Sequence, residues 1–217
     1  MRRTLLALAL VLPLAVLARD NDIDKINGTV RVENGQQAGD VSTVNGSVRI
    51  GDNATVHKAS TVNGSVELGE KSQASEISTV NGSATLGAGS RITGEVGTTN
   101  GTIRLGKGAE VAGKVANVNG TINLDAAHVA KGIETVSGSI YVGANSRVEG
   151  GILVDKPGGW FNNNSRPPHV VIGPHAVVQG TLEFRREVVL QVSDSAQIGP
   201  VKGATPVKFR GDAPSLD

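Results

Sequence analysis

An asparagine followed by a glycine returns along this chain at an almost constant step. The asparagines are Asn27, Asn45, Asn63, Asn81, Asn100 and Asn119, with Ser137 in the seventh place, so the steps are 18, 18, 18, 19, 19 and 18. The frame around them is Thr-Val-Asn-Gly-Ser-Val, complete at 43–48 and 61–66 and degenerate elsewhere. A short fixed period means that one structural unit is stacked many times and buries its apolar face only against its neighbours.

Each period contains further columns of aliphatic residues. One pattern is an aliphatic, a turn residue, polar residues, a small residue and a second aliphatic. It runs from Ile50 to Val56, Leu86 to Ile92, Leu105 to Val111, Val142 to Val148, Ile172 to Val178 and Val192 to Ile198. Another column holds Val41, Ile77, Val96, Val115, Ile133, Ile152 and Leu182. Aliphatic and polar residues alternate in pairs such as Val48 and Ile50, Ile103 and Leu105, or Ile122 and Leu124, which is the period of a strand with one face buried. Helix is excluded, because Gly and Asn punctuate every few residues and no stretch keeps an apolar stripe at helical spacing. Three strands per coil, with coils stacked at about 4.8 Å, satisfy the backbone by pairing above and below. The expectation is an all-β, single-stranded, three-sided parallel β-helix of 18–19 residues per coil, right-handed in preference to left-handed.

Composition agrees with a narrow interior. Aromatic residues make up 2% of the chain, and Tyr141 is the only one between Ile26 and Val154. Stacked coils filled by Val, Ile, Leu, Ala and Ser have no room for stacked rings, and a strand spacing near 4.8 Å gives nine or ten of them a length of about 45 Å. Lys plus Arg number 21 against 20 Asp plus Glu, scattered along the sequence, so the footprint of a nucleic-acid or anionic-lipid partner is missing. There is no cysteine, which excludes a disulfide scaffold and a lipid-anchored cysteine.

The beginning of the chain reads as a leader. Arg2 and Arg3 precede an apolar run from Leu5 to Leu17, and Val16-Leu17-Ala18 suits a signal peptidase cutting after Ala18. About thirteen apolar residues interrupted by Pro13 are too few for a membrane span. The expected organisation is a signal peptide over 1–18, a charged cap over 19–26, the β-helix over 27–204 and a tail over 205–217, in a periplasmic or extracellular protein.

The coil pattern lapses at 155–169, where Gly, Pro and Asn oppose strand pairing and a protruding loop is expected. Trp160, Phe161 and Arg166 in it are candidate partner contacts. The alternative is that Trp160 and Phe161 fold back over an open core edge.

The asparagine column has two readings. Asparagines at one position of successive coils can bond to one another as a ladder. Alternatively, strand alternation carried through the motif turns Thr43, Asn45 and Ser47 outward, with Thr61, Asn63, Ser65 and Thr79, Asn81, Ser83 beside them, as a stripe fit for a polysaccharide or an ice lattice. The same tripeptides match glycan-acceptor sites, but a glycan on each coil would crowd the next. Catalysis has little support. His57, His128, His169 and His175 have no spacing that aims two at one metal, and Glu67, Glu95, Glu110 and Glu149 read as isolated solubilising acids, so no cofactor or metal is expected.

The segments Val142 to Ile152 and Val170 to Leu182 resemble the repeat of bactofilins, the polymer-forming cytoskeletal proteins of bacteria. That resemblance implies a right-handed three-sided β-helix that polymerises end to end without nucleotide. The Val-Asn-Gly-Ser-Val copies are similar to exported adhesin-like β-solenoids of bacterial envelopes, which accords with the leader. The expected function is a non-catalytic structural or scaffold rod of the cell envelope whose partner is itself. The second reading is an adhesin-like module that binds envelope polysaccharide through the Thr/Asn/Ser stripe or the Trp160 loop; the third is an oligomeric hexapeptide-repeat enzyme.

Overall fold

Alternating aliphatic and polar residues produce short strands, and the turn residues between them fold every period into a triangle. The computed structural model describes residues 21–157 and 166–211, and they form an all-β solenoid of about ten turns. Every strand pairing is parallel, and each strand pairs with the equivalent strand one coil away.

Three faces follow one another in each coil. Face A contains Ile23–Asn27 and its successors, including Gly151–Val154 and Leu182–Phe184. Face B begins at Val30–Val32 and Val48–Ile50 and continues to His169–Ile172 and Val189–Ser193. Face C holds two-residue strands such as Arg91–Ile92 and Glu110–Val111. Register is exact: Val41 stands against Ala59, Ala59 against Ile77, and Ile77 against Val96.

The change in step from 18 to 19 has a local cause. In the shorter coils faces C and A form one unbroken strand, as in Gln37–Asn45, Thr55–Asn63 and Gln73–Asn81. An extra residue at that corner then separates Arg91–Ile92 from Val96–Leu105, and faces A and B become the continuous pair instead, again in Lys114–Leu124. The corner absorbs the insertion, and the faces keep their register.

The core is a set of columns running the length of the rod. Face B contributes two residues per coil, such as Ile103 with Leu105 and Ile122 with Leu124, and faces A and C add Ile77, Val96, Val115, Ile92, Val111 and Val129. All are buried. Small residues line the corner between faces B and C, where Ala54, Ser72, Ser90, Ala109 and Ala127 are buried. A single aromatic, Phe184, enters the core of the described residues at 5% exposure, in register with Val154.

The corner from B to C requires a left-handed residue in nearly every coil. Gly35, Asn53, Lys71, Gly89, Gly108, Ala126, Asn145 and His175 all have φ between 44° and 71°. The Asn-Gly corner from A to B needs glycine for a different reason, close approach: a Cβ on Gly82 would lie 1.8 Å from the Gly64 carbonyl oxygen.

The stack extends into both flanking segments. Ile23–Asn27, most of it in the charged 19–26 stretch, pairs with the strand Gln37–Asn45, and Val207–Phe209 pairs with Val189–Ser193 although its sequence has lost the period. Among the described residues no helix is long and apolar enough to cross a membrane.

Candidate functional site

Face A and the corner that follows it carry the most regular chemistry in the molecule. The Asn side chains form a continuous ladder: Nδ2 of Asn45, Asn63, Asn81, Asn100 and Asn119 each donate to Oδ1 of the asparagine one coil earlier, at 3.2, 2.9, 3.1, 3.1 and 3.0 Å. All donors point the same way. Asn27 therefore ends the ladder with its amide NH2, and Asn119 ends it with its carbonyl.

Beneath the ladder lies a second column that the alternation argument placed on the wrong side. Thr43, Thr61, Thr79 and Thr98 are buried, and each Oγ1 donates to a glycine carbonyl of the previous coil: Gly28, Gly46, Gly64 and Gly82, at 3.2, 2.9, 3.0 and 3.1 Å. A hydroxyl enters a dry core without large penalty when it finds an acceptor, and the Asn-Gly corner supplies one in each coil. Val44, Val62 and Val80 face outward instead, at 42, 40 and 41% exposure. The outward surface is thus Ser42, Ser60 and Ser78, the valines and the asparagines, without the threonine hydroxyls.

The threonine column ends one coil before the ladder. The next inner position is Asn117, buried, whose Oδ1 accepts from Thr135 Oγ1 at 2.6 Å, while Thr135 Oγ1 accepts from the Gly138 amide at 2.9 Å. In later coils the inner position holds Val154 and Phe184, and the ladder position holds Ser137, whose Oγ accepts from Arg186 at 3.1 Å. An open cleft of about 470 Å³ lies along this transition, lined by Thr98, Ala116, Asn117, Glu134, Thr135 and Asp155 among others.

Trp160 and Phe161 of the candidate partner loop lie outside the described residues; Arg166 is described and exposed. The four histidines do not converge. His57 pairs with Asp40 at 2.6 Å, His128 Nε2 is 3.3 Å from Glu149 Oε1, His169 begins a strand rather than lying in the loop, and His175 occupies the left-handed corner. The glutamates read as isolated are mostly partnered: Glu67 with Arg49 at 3.1 Å, Glu110 with Arg91 at 2.6 Å, Glu149 with Arg147 at 3.3 Å. Lys58 with Glu76 and Lys114 with Glu134, at 2.8 and 3.2 Å, likewise join neighbouring coils. The hydrogen bond to Glu134, then its charge and that of Glu95, raise the Lys114 pKa above its ordinary 10.5. Among the described residues no group of three or more His, Cys, Asp or Glu is placed to hold a metal ion.

What this surface offers chemically is periodic hydrogen bonding at the coil spacing rather than a convergent reactive centre. No family model, no curated protein and no solved structure matches the chain.

Proposed function

We propose that the protein is an exported, non-catalytic scaffold rod of the bacterial cell envelope that joins copies of itself end to end. The observation that supports this most is the state of the terminal strands. Among the described residues, Ile23–Asn27 and Val30–Val32 pair on one side only, and so do Gln197–Ile198, Val201–Lys202 and Val207–Phe209 at the other end. Because every pairing is parallel, the C-terminal edge of one copy can meet the N-terminal edge of the next in the sense used inside the molecule. Half-buried Ile198, Val201 and Ala204 at one end, and Ile23 and Ala38 at the other, offer apolar surface for the joint. The bactofilin-like repeats favour polymerisation, and the leader-like residues 1–18 favour export.

Light scattering and negative-stain microscopy of residues 19–217 across a concentration series test this. Filaments or end-to-end oligomers are expected, and Val201→Asp should shift them toward monomer. A monodisperse short rod at every concentration would overturn the assembly.

A second reading, an adhesin-like module for an envelope polysaccharide, is favoured by the uncharged outward set of Ser42, Val44, Asn45 and their equivalents in the next two coils. A glycan array in which wild-type protein gives no signal would remove it.

A further inference from the structure

The ladder is built from the dipeptide most prone to spontaneous deamidation, and the fold leaves its rungs unequally protected. In Asn-Gly the glycine amide nitrogen attacks the side-chain carbonyl carbon of the preceding asparagine. That attack needs a glycine N–H free to lose its proton and a side chain free to swing toward it.

Along most of the ladder the fold occupies this amide. The N–H groups of Gly28, Gly46, Gly64 and Gly82 donate to the carbonyls of Asn45, Asn63, Asn81 and Asn100 in the next coil, at 2.8, 3.0, 3.0 and 3.0 Å. Gly101 is held in strand register against Gly120, as Asn100 is against Asn119. Outside the ladder, the Gly35 amide of Asn34-Gly35 donates to Asp52 O at 2.8 Å.

Asn119-Gly120 differs. The strand Lys114–Leu124 pairs toward the next coil through Ala116↔Glu134, and pairing resumes only at Thr121↔Ser139. In the gap, Ser137 N donates to Val118 O at 2.8 Å, but the Gly138 amide turns inward to Thr135, and the Gly120 amide makes no bond to the carbonyls of residues 136–138, where its counterparts at Gly28, Gly46, Gly64 and Gly82 are held by the next coil. Gly120 is exposed, whereas Gly46, Gly64, Gly82 and Gly101 are half-buried. Asn119 is held from one side only, through Nδ2 to Asn100, because no asparagine follows to bond its Oδ1.

We propose that Asn119 is the site at which the folded protein deamidates, and that the ladder protects the other Asn-Gly pairs. Gly120 N forms a bond to Asn119 Cγ, the Cγ–Nδ2 bond breaks, and the Gly120 amide proton leaves with Nδ2 as ammonia. Water then opens the succinimide at either carbonyl, giving aspartate or isoaspartate at 119. The product has lost the donor that bonded Asn100. Its isoaspartyl form also adds a methylene to the main chain of a strand that spans two faces.

The test is peptide mass mapping of the full chain after incubation at mildly alkaline pH, folded and in strong denaturant. In the folded protein the acid form should accumulate at Asn119 several-fold faster than at Asn63 and Asn81, and in denaturant the rates should converge. Equal or slower reaction at Asn119 in the folded protein would overturn the proposal. So would a lead at Asn119 that persists in denaturant, since local sequence and not the fold would then set the rate.

Discussion

Asn63 takes both roles in one plane: its Nδ2 donates to Asn45 Oδ1 at 2.9 Å, and its Oδ1 accepts from Asn81 Nδ2 at 3.1 Å. Replacing it by alanine removes two bonds and breaks the ladder into shorter runs. Because the side chains are exposed, water replaces part of what is lost, and Asn63→Ala should cost about 1–2 kcal/mol in urea unfolding. Asn27→Ala, at the end of the ladder with a single bond, should cost about half as much.

The buried threonines separate hydrogen bonding from shape. Thr61→Val keeps the volume but leaves the Gly46 carbonyl without the hydroxyl that donates to it at 2.9 Å. A loss of about 1 kcal/mol is expected, with Thr61→Ser retaining the bond and losing only methyl packing. If Thr61→Val were neutral, the inner column would be packing alone.

Inward and outward positions should respond very differently to the same charge. Leu105 is 1% exposed, and Leu105→Asp puts a carboxylate in a dry interior, costing about 4 kcal/mol or more. Its exposed neighbour Arg104 should tolerate Asp to within about 0.5 kcal/mol. Thermal unfolding of the two variants distinguishes them, and equal effects would contradict the burial pattern.

Two backbone substitutions should act in opposite directions. Lys71 has φ 54°, which a side chain tolerates poorly, so Lys71→Gly should be neutral to stabilising, by up to about 1 kcal/mol, after the greater chain entropy of glycine is offset. Gly82→Ala drives a Cβ to 1.8 Å from Gly64 O and should open the corner or unfold the adjacent coils. Urea midpoints on either side of wild type are the expected result.

Lys114 has a raised pKa through Glu134, so its contribution is complete below the ordinary lysine value of 10.5 and disappears as pH climbs through the folded value. Wild type and Lys114→Met should therefore differ at neutral pH and converge in strong alkali. The pair is solvent-exposed, and added salt should shrink the difference.

The solenoid was legible because its signal is translational: Val48, Val66 and Ala84 recur at one step, and the structure stacks them residue on residue. The orientation of the corner was not. Counting back by twos from Val48 puts Val44 inside, whereas counting forward from Val41 puts Thr43 inside, so the alternation must break between them. The structure breaks it at Asn45-Gly46, which leaves Thr43 buried and Val44 exposed. Hydropathy favours the opposite choice; the glycine carbonyls that accept from the hydroxyls decide it, and those depend on the neighbouring coil. The strand Val207–Phe209 was hidden for a similar reason. Its pairing with Gln191–Ser193 fixes it, while its own residues have left the repeat.

Strict pairing of each coil with its immediate neighbours also sets how the rod would respond to force. Pulled along its axis by the chain ends, the rod has among its described residues no strand pairing beyond adjacent coils, and Arg186, bonded to Val136 O and Ser137 Oγ two coils back, is a side chain that spans one. Load would fall on one terminal coil at a time, and the next would bear it only after the last had peeled away. Such a rod yields in steps.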